Sequence, residues 1–198
     1  DAGSEGVGRG VVLQKVEPGD LTCSACLWTA GAVRDALRDQ MPRRVKSAKQ
    51  RFNRASMAMA ATGDAAVCAA RRFPKDPVVT GASEETLMSP VLSPTTSVRR
   101  KYTDLEVLRK QSNGALTSEH FKLMESSQGA REELKRVCEE VVSAFQAEVA
   151  KRASHFKGRR IFGAIPDSWL CVRAARLCTD GEVPSSGDED DEEEGQEL

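Results

Sequence analysis

Asp20-Leu21-Thr22-Cys23-Ser24-Ala25-Cys26-Leu27 is the stretch on which the fold turns. Asp20 is a good N-cap, because a carboxylate can accept from the free amides of a first helical turn. A helix beginning at Leu21 places Cys23, Cys26, Leu27, Ala30, Val33, Leu37 and Met41 at steps of mostly three and four residues. That spacing makes one apolar face, and Pro42 is its predicted stop. Cys23 and Cys26 then lie one turn apart on the same face. Four further cysteines, Cys68, Cys138, Cys171 and Cys178, complete a set of six.

An even number of cysteines is what an oxidising compartment leaves. Spacing alone does not choose among the pairings, but helix geometry narrows them. Cys171 and Cys178 are seven residues apart, two turns on one face of a helix. Two such pairs on antiparallel helices form a ladder in which outer cysteine meets outer cysteine. This gives Cys23–Cys178 and Cys26–Cys171, and leaves Cys68–Cys138 as the third bridge. A three-residue step facing a seven-residue step also predicts that the last helix is not regular throughout. Closing loops of such length stabilises by roughly 4–5 kcal/mol per bridge in the chain-entropy model, with less in practice.

Two other chemistries are open to these cysteines. Cys23-Ser24-Ala25-Cys26 is a C-x-x-C, which in a thioredoxin-like setting would be a redox pair. The βαβ context for that is missing from the pattern. Zinc would need a second C-x-x-C or nearby histidines, and neither His120 nor His155 has ligand spacing to a cysteine. Both histidines read as surface or helix-end residues. The chain contains no phosphate-binding glycine loop, no H-E-x-x-H and no nucleophile elbow, so no enzyme and no cofactor is expected.

Outward from the cysteines, a second helical pattern runs from about Val45 to Ala61, with Ala48, Phe52, Ala55 and Met59 on one side. A short helix can follow through Cys68 to Arg72. From Phe73 to Ser97, four prolines sit among Ser, Thr and Gly, and 73–97 reads as a long disordered loop. Helical patterning returns near Thr103-Asp104, with Leu105 and Leu108 as burial candidates. Thr117 or Ser118 can cap a turn containing Phe121, Leu123 and Met124. The strongest helix spans about Ala130 to Phe156, placing Leu134, Val137, Cys138, Val141, Phe145 and Val149 on one stripe, with Gly158 closing it. Asp167 can cap a last helix carrying Trp169, Leu170, Cys171, Ala174 and Cys178. Nothing alternates with period two over six residues, so no sheet is expected.

The 198 residues suggest one domain with flexible segments, and only 5% are aromatic. Residues 1–19 read as a flexible arm, 20–180 as the domain and 181–198 as a tail. No run approaches a membrane span. Asp1, with no leader before it, reads as a mature N-terminus left by a signal peptide. The net charge of −1 conceals an asymmetry: ten acids and no bases fall in 180–198, leaving 29 Lys and Arg against 20 Asp and Glu in residues 1–179. The bases are scattered with little aromatic interleaving, so a solvated basic face is expected rather than a nucleic-acid site. Asp188 to Glu194 is an unbroken acidic run, a spacer that presents Gly195-Gln196-Glu197-Leu198. That ending is similar to ER-retention signals of the K-D-E-L type, with Gly-Gln in place of Lys-Asp.

The cysteine order and the segment Leu134-Lys135-Arg136-Val137-Cys138-Glu139-Glu140-Val141-Val142-Ser143-Ala144-Phe145 resemble the Canopy family of saposin-like ER co-chaperones. Leu170-Cys171, the step to Cys178, the acidic tail and the Glu-Leu ending fit the same resemblance, which covers about residues 20–180. The 73–97 insertion does not align with it. The resemblance implies an all-α, saposin-like bundle stapled by three disulfides, with the same cysteine pairing. It implies a non-enzymatic ER-lumenal role in folding or trafficking of secretory or membrane clients, beside the lumenal ninety-kilodalton heat-shock chaperone. The alternatives are a saposin-type lipid binder, whose basic body would favour anionic headgroups, and a thiol-disulfide oxidoreductase.

Overall fold

The structure is a computed structural model describing residues 16–17, 19–41, 47–81, 100–115, 117–156 and 163–183. Residues 1–15 of the predicted arm, the stops at Pro42 and Gly158, residues 82–97 of the 73–97 insertion, the acidic run and Gly195–Leu198 lie outside the described residues. The described residues include five α-helices, a two-stranded sheet, a π-helix and short 3-10 turns: α1 (Asp20–Gln40), α2 (Ala48–Ala60), β1 (Pro77–Thr80), β2 (Lys101–Asp104), α3 (Leu105–Gln111), α4 (Ser118–Ser126), α5 (Ala130–His155) and the π-helix (Ser168–Ala174). The fold is mainly helical and carries the three expected disulfides.

α1 is the central element, packed against α2, α5, β2 and the π-helix. Its sequence permits this because Ala25, Ala30, Ala32 and Ala36 are fully buried, and methyl side chains let neighbouring helices approach closely. The stripe of α5 behaves as its spacing predicts: Leu134, Val137, Cys138, Val141, Phe145 and Val149 are all buried. On α2 the phase differs from expectation. The inner row is Arg51, Ala55, Ala58 and Met59, whereas Phe52 is 41% exposed. Arg51 is buried at 3% because its Nε donates to the Ser154 carbonyl of α5 at 2.8 Å, so the helix turns its guanidinium inward. A buried cation with a hydrogen-bonded fork is tolerable where an unpaired one is not.

The expectation of no sheet is corrected. β1 and β2 pair antiparallel with Val79 opposite Tyr102, inside and just beyond the stretch read as a loop. Strands of four residues are too short to show alternation. A two-stranded ribbon is marginal alone, and here side chains of α1 and of the turn after residue 126 close its two edges. The Tyr102 amide donates to Ser24 Oγ at 2.9 Å, and Trp28 Nε1 donates to the Tyr102 carbonyl at 3.3 Å. On the other edge the Val79 amide donates to Ser127 Oγ at 2.8 Å. Thr80 and Thr103 hydroxyls meet across the ribbon at 2.9 Å.

Other boundaries shift slightly. α1 begins at Asp20 itself, with Gly19 at the cap, and Asp20 Oδ2 accepts from the Arg100 amide at 3.0 Å. The short helix before Phe73 is a single 3-10 turn, Ala70–Arg72. Val16, assigned to the flexible arm, is buried in the core. At the other boundary the chain beyond 180 continues in a turn, where Glu182 accepts from the Thr179 amide and Val183 packs on the core. Of the two burial candidates after the ribbon, Leu105 is buried and Leu108 half-buried, while Phe121 and Met124 on α4 are exposed.

The ionic contacts predict a pH response. Burial raises the Asp20 pKa, but the Arg100 amide and guanidinium outweigh it and hold the carboxyl below its ordinary 3.8. Asp39 follows the same pattern, its slight desolvation outweighed by Arg72 and Arg71. Hydrogen bonds from Arg136 lower Glu133 below 4.5. Groups depressed on folding contribute stability above their unfolded pKa and lose it as pH falls through the folded value. Tyr102 is opposite: burial, then the Glu133 charge, pushes its phenol above 10.0, so its contribution is lost as pH rises beyond that value. Urea midpoints are therefore expected to be flat near neutrality, to fall below about pH 4, and to fall again above about pH 10. A midpoint rising on acidification from pH 4 would contradict this account.

Candidate functional site

Cys23 and Cys178 are joined with a Cα separation of 4.7 Å, Cys26 and Cys171 at 5.7 Å, and Cys68 and Cys138 at 5.8 Å. These are ordinary disulfide separations. The seven-residue step of the last segment meets the three-residue step of α1 through two local devices. The π-helix widens the winding, with the Ala175 amide donating to the Leu170 carbonyl at 2.8 Å. Arg176 then takes φ 55°, in the left-handed region, and the chain doubles back. As a result the Cys178 amide donates to the Cys171 carbonyl at 3.1 Å, so two cysteines seven residues apart reach one turn of α1. Asp167 does not cap this segment. Its Oδ1 instead accepts from Arg34 at 2.5 Å, tying the approach to the π-helix onto α1.

The C-x-x-C thiols are thus consumed in cross-links to another segment rather than to each other, and all four sulfurs of the ladder are buried. Redox exchange at Cys23-Cys26 would need a thiolate or disulfide open to a partner. His120 is a helix-end residue, as expected. Its Nδ1 accepts from the Thr117 amide while Thr117 Oγ1 accepts from the His120 amide, a reciprocal cap in which histidine stands where Glu or Gln is usual. His155 is the last residue of α5.

The concavity that the sequence did not announce lies beside the third bridge. Residues 59–74 run over α5 and leave a groove of about 590 Å3. Its walls include Met59, Val67, Phe73 and Val142, with Cys68 in the lining. Arg131, Lys135, Glu139 and Asp64 also line it, so an apolar surface is bordered by charges of both signs. Lys135 and Glu139 pair at 3.7 Å on the α5 surface. Lys135 and Glu139 lie off the apolar stripe of α5, and nothing local signals that the 59–74 segment will border them. No histidine or free cysteine is among the lining residues. The geometry suits reversible contact with a mixed apolar and polar chain.

No helix among the described residues is long and apolar enough to cross a membrane. Three disulfides are what an oxidising compartment leaves. Family models, curated proteins and solved structures yield no match to this chain.

Proposed function

We propose that the chain is a non-enzymatic co-chaperone of the ER lumen that assists folding or delivery of secretory or membrane proteins, as the Canopy resemblance implies. The observation that carries this reading is the pairing of all six cysteines between segments distant in sequence, in the arrangement the resemblance expects, with no free cysteine. A domain stapled in this way keeps a rigid surface in an oxidising lumen. The groove beside Cys68–Cys138 is a suitable contact for an exposed client segment, and a lumenal ninety-kilodalton heat-shock chaperone is the natural second partner.

The lipid alternative needs an apolar seam that opens. The α5 stripe is buried between α1 and α2, and at ~25 cal/mol per Å2 its burial favours the closed state. The test is crosslinking in intact cells during a pulse-chase. Newly made secretory proteins should crosslink early and be released as they fold. Native mass spectrometry showing a stoichiometric phospholipid, lost when surface bases are replaced with the fold intact, would overturn the co-chaperone reading.

A further inference from the structure

The two ends of the Cys68–Cys138 bridge sit in different surroundings. Cys138 is on α5, fully buried, and is not among the residues that line the groove. Cys68 is half-buried and forms part of that lining. The bridge therefore runs from the groove wall into the core. Thiol–disulfide exchange proceeds by attack on one sulfur while the other leaves as thiolate. A nucleophile entering the groove meets Cys68 first, so the fold selects which sulfur is attacked. The four ladder cysteines are buried, and none of them lines the groove.

The wall that carries Cys68 has other attachments. Arg71 Nε donates to the Asp64 carbonyl at 2.7 Å, and Arg72 Nε to the Ala66 carbonyl at 3.0 Å. Both arginines also pair with Asp39 of α1, at 3.0 and 2.8 Å. Val67, next to Cys68 in sequence, is buried in the core. α1 in turn stays tied to the last segment by the two ladder bridges. The third bridge can thus open while the wall, the core and the groove keep their places.

The groove also says what should accompany the attacking thiol. Met59, Val67, Phe73 and Val142 supply apolar walls. Arg131 and Lys135 at its border are offset by Asp64 and Glu139, so the lining carries no net charge to draw a thiolate in. What it can do is hold the apolar neighbours of a cysteine, which raises the local concentration of the thiol at Cys68.

We infer that Cys68 takes a free cysteine of an unfolded secretory polypeptide into a mixed disulfide, so that the groove holds its client covalently for a time. The inference rests on the co-chaperone reading and names its client class: a segment with an unpaired cysteine among apolar residues. The client thiol gives its proton to water, and the thiolate attacks Cys68 Sγ. The new S–S bond forms as the Cys68–Cys138 bond breaks, and the Cys138 thiolate takes a proton from water. One disulfide replaces another, so no outside oxidant or reductant is consumed. Release is the reverse step. Cys138 stays on α5 beside Cys68, and this intramolecular position favours closing the bridge, which makes the hold transient.

The test uses the purified full chain and an excess of either of two reduced peptides, Gly-Leu-Val-Cys-Leu-Ala-Gly and Gly-Ser-Asn-Cys-Ser-Gln-Gly. After acid quenching and alkylation under denaturing conditions, non-reducing mass spectrometry maps the adduct. One peptide should be joined to Cys68, with Cys138 alkylated and both ladder bridges intact. Compared at equal thiolate concentration, the apolar peptide should react at least about tenfold faster than the polar one. Ser143→Trp, at an exposed lining position, should slow the apolar peptide by at least about fivefold with circular dichroism unchanged. Equal rates for the two peptides, or no slowing in the variant, would mean that the groove plays no part and would overturn the inference. So would an adduct at a ladder cysteine, or no adduct at all. Crosslinking in cells of clients that lack a free cysteine reports on the co-chaperone reading separately, so the two can fail independently.

Discussion

Phe145→Asp is expected to unfold the bundle. The side chain is 4% exposed on the inner stripe of α5, with Val141 and Val149 a turn away on either side. Truncating a buried Phe costs about 3–5 kcal/mol through lost burial and the cavity left behind. A carboxylate at that point adds desolvation, since no partner awaits it there. A domain of this size has a total stability of about 5–15 kcal/mol, so the substitution removes most of it. Near-UV circular dichroism should collapse, and any residual urea transition should shift well below that of the parent chain. Phe121→Asp provides the contrast. Phe121 is 57% exposed on α4, and its replacement should change stability by no more than about 0.5 kcal/mol. A similar loss at both sites would mean that α5 is not the wall of the core.

Removing the Cys26–Cys171 bridge should produce the second largest effect. Both residues are fully buried, and the bridge closes a separation of 145 residues. Cys26→Ala with Cys171→Ala is expected to cost about 2–5 kcal/mol, the range for a native bridge in a small domain. Cys68–Cys138 closes 70 residues, and the shorter loop alone lowers its contribution by only about 0.6 kcal/mol. Access separates the bridges more sharply than loop length does. Cys68 is only partly buried and lines the groove, whereas the ladder sulfurs are enclosed. Limited treatment with dithiothreitol under native conditions should therefore open Cys68–Cys138 first, as read by alkylation and peptide mapping. Early alkylation of Cys23 or Cys26 would instead show an accessible C-x-x-C and revive the redox reading.

The two substitutions probe different sources of order. Phe145 acts through burial in the folded state, and the bridge acts largely by limiting the unfolded chain.

What the sequence determined by itself is what local periodicity and cysteine spacing can carry. The stripe from Leu134 to Val149 gave α5 because a repeat of three and four residues has one helical interpretation. The cysteine pairing was legible because two pairs on helix faces leave few ladders, and the three-against-seven mismatch already required an irregular last segment. Tertiary structure decided the remainder. The strands at 77–80 and 101–104 are too short to alternate, and they exist because Ser24, Trp28 and Ser127, distant in sequence, satisfy their edges. Arg51 is inside and Phe52 half outside because a carbonyl on α5 awaits the guanidinium, which no pattern within α2 could announce. The groove has the same origin, since residues from distant segments line it, and apposition of distant segments is set by packing of the whole chain, not by the periodicity of any one of them.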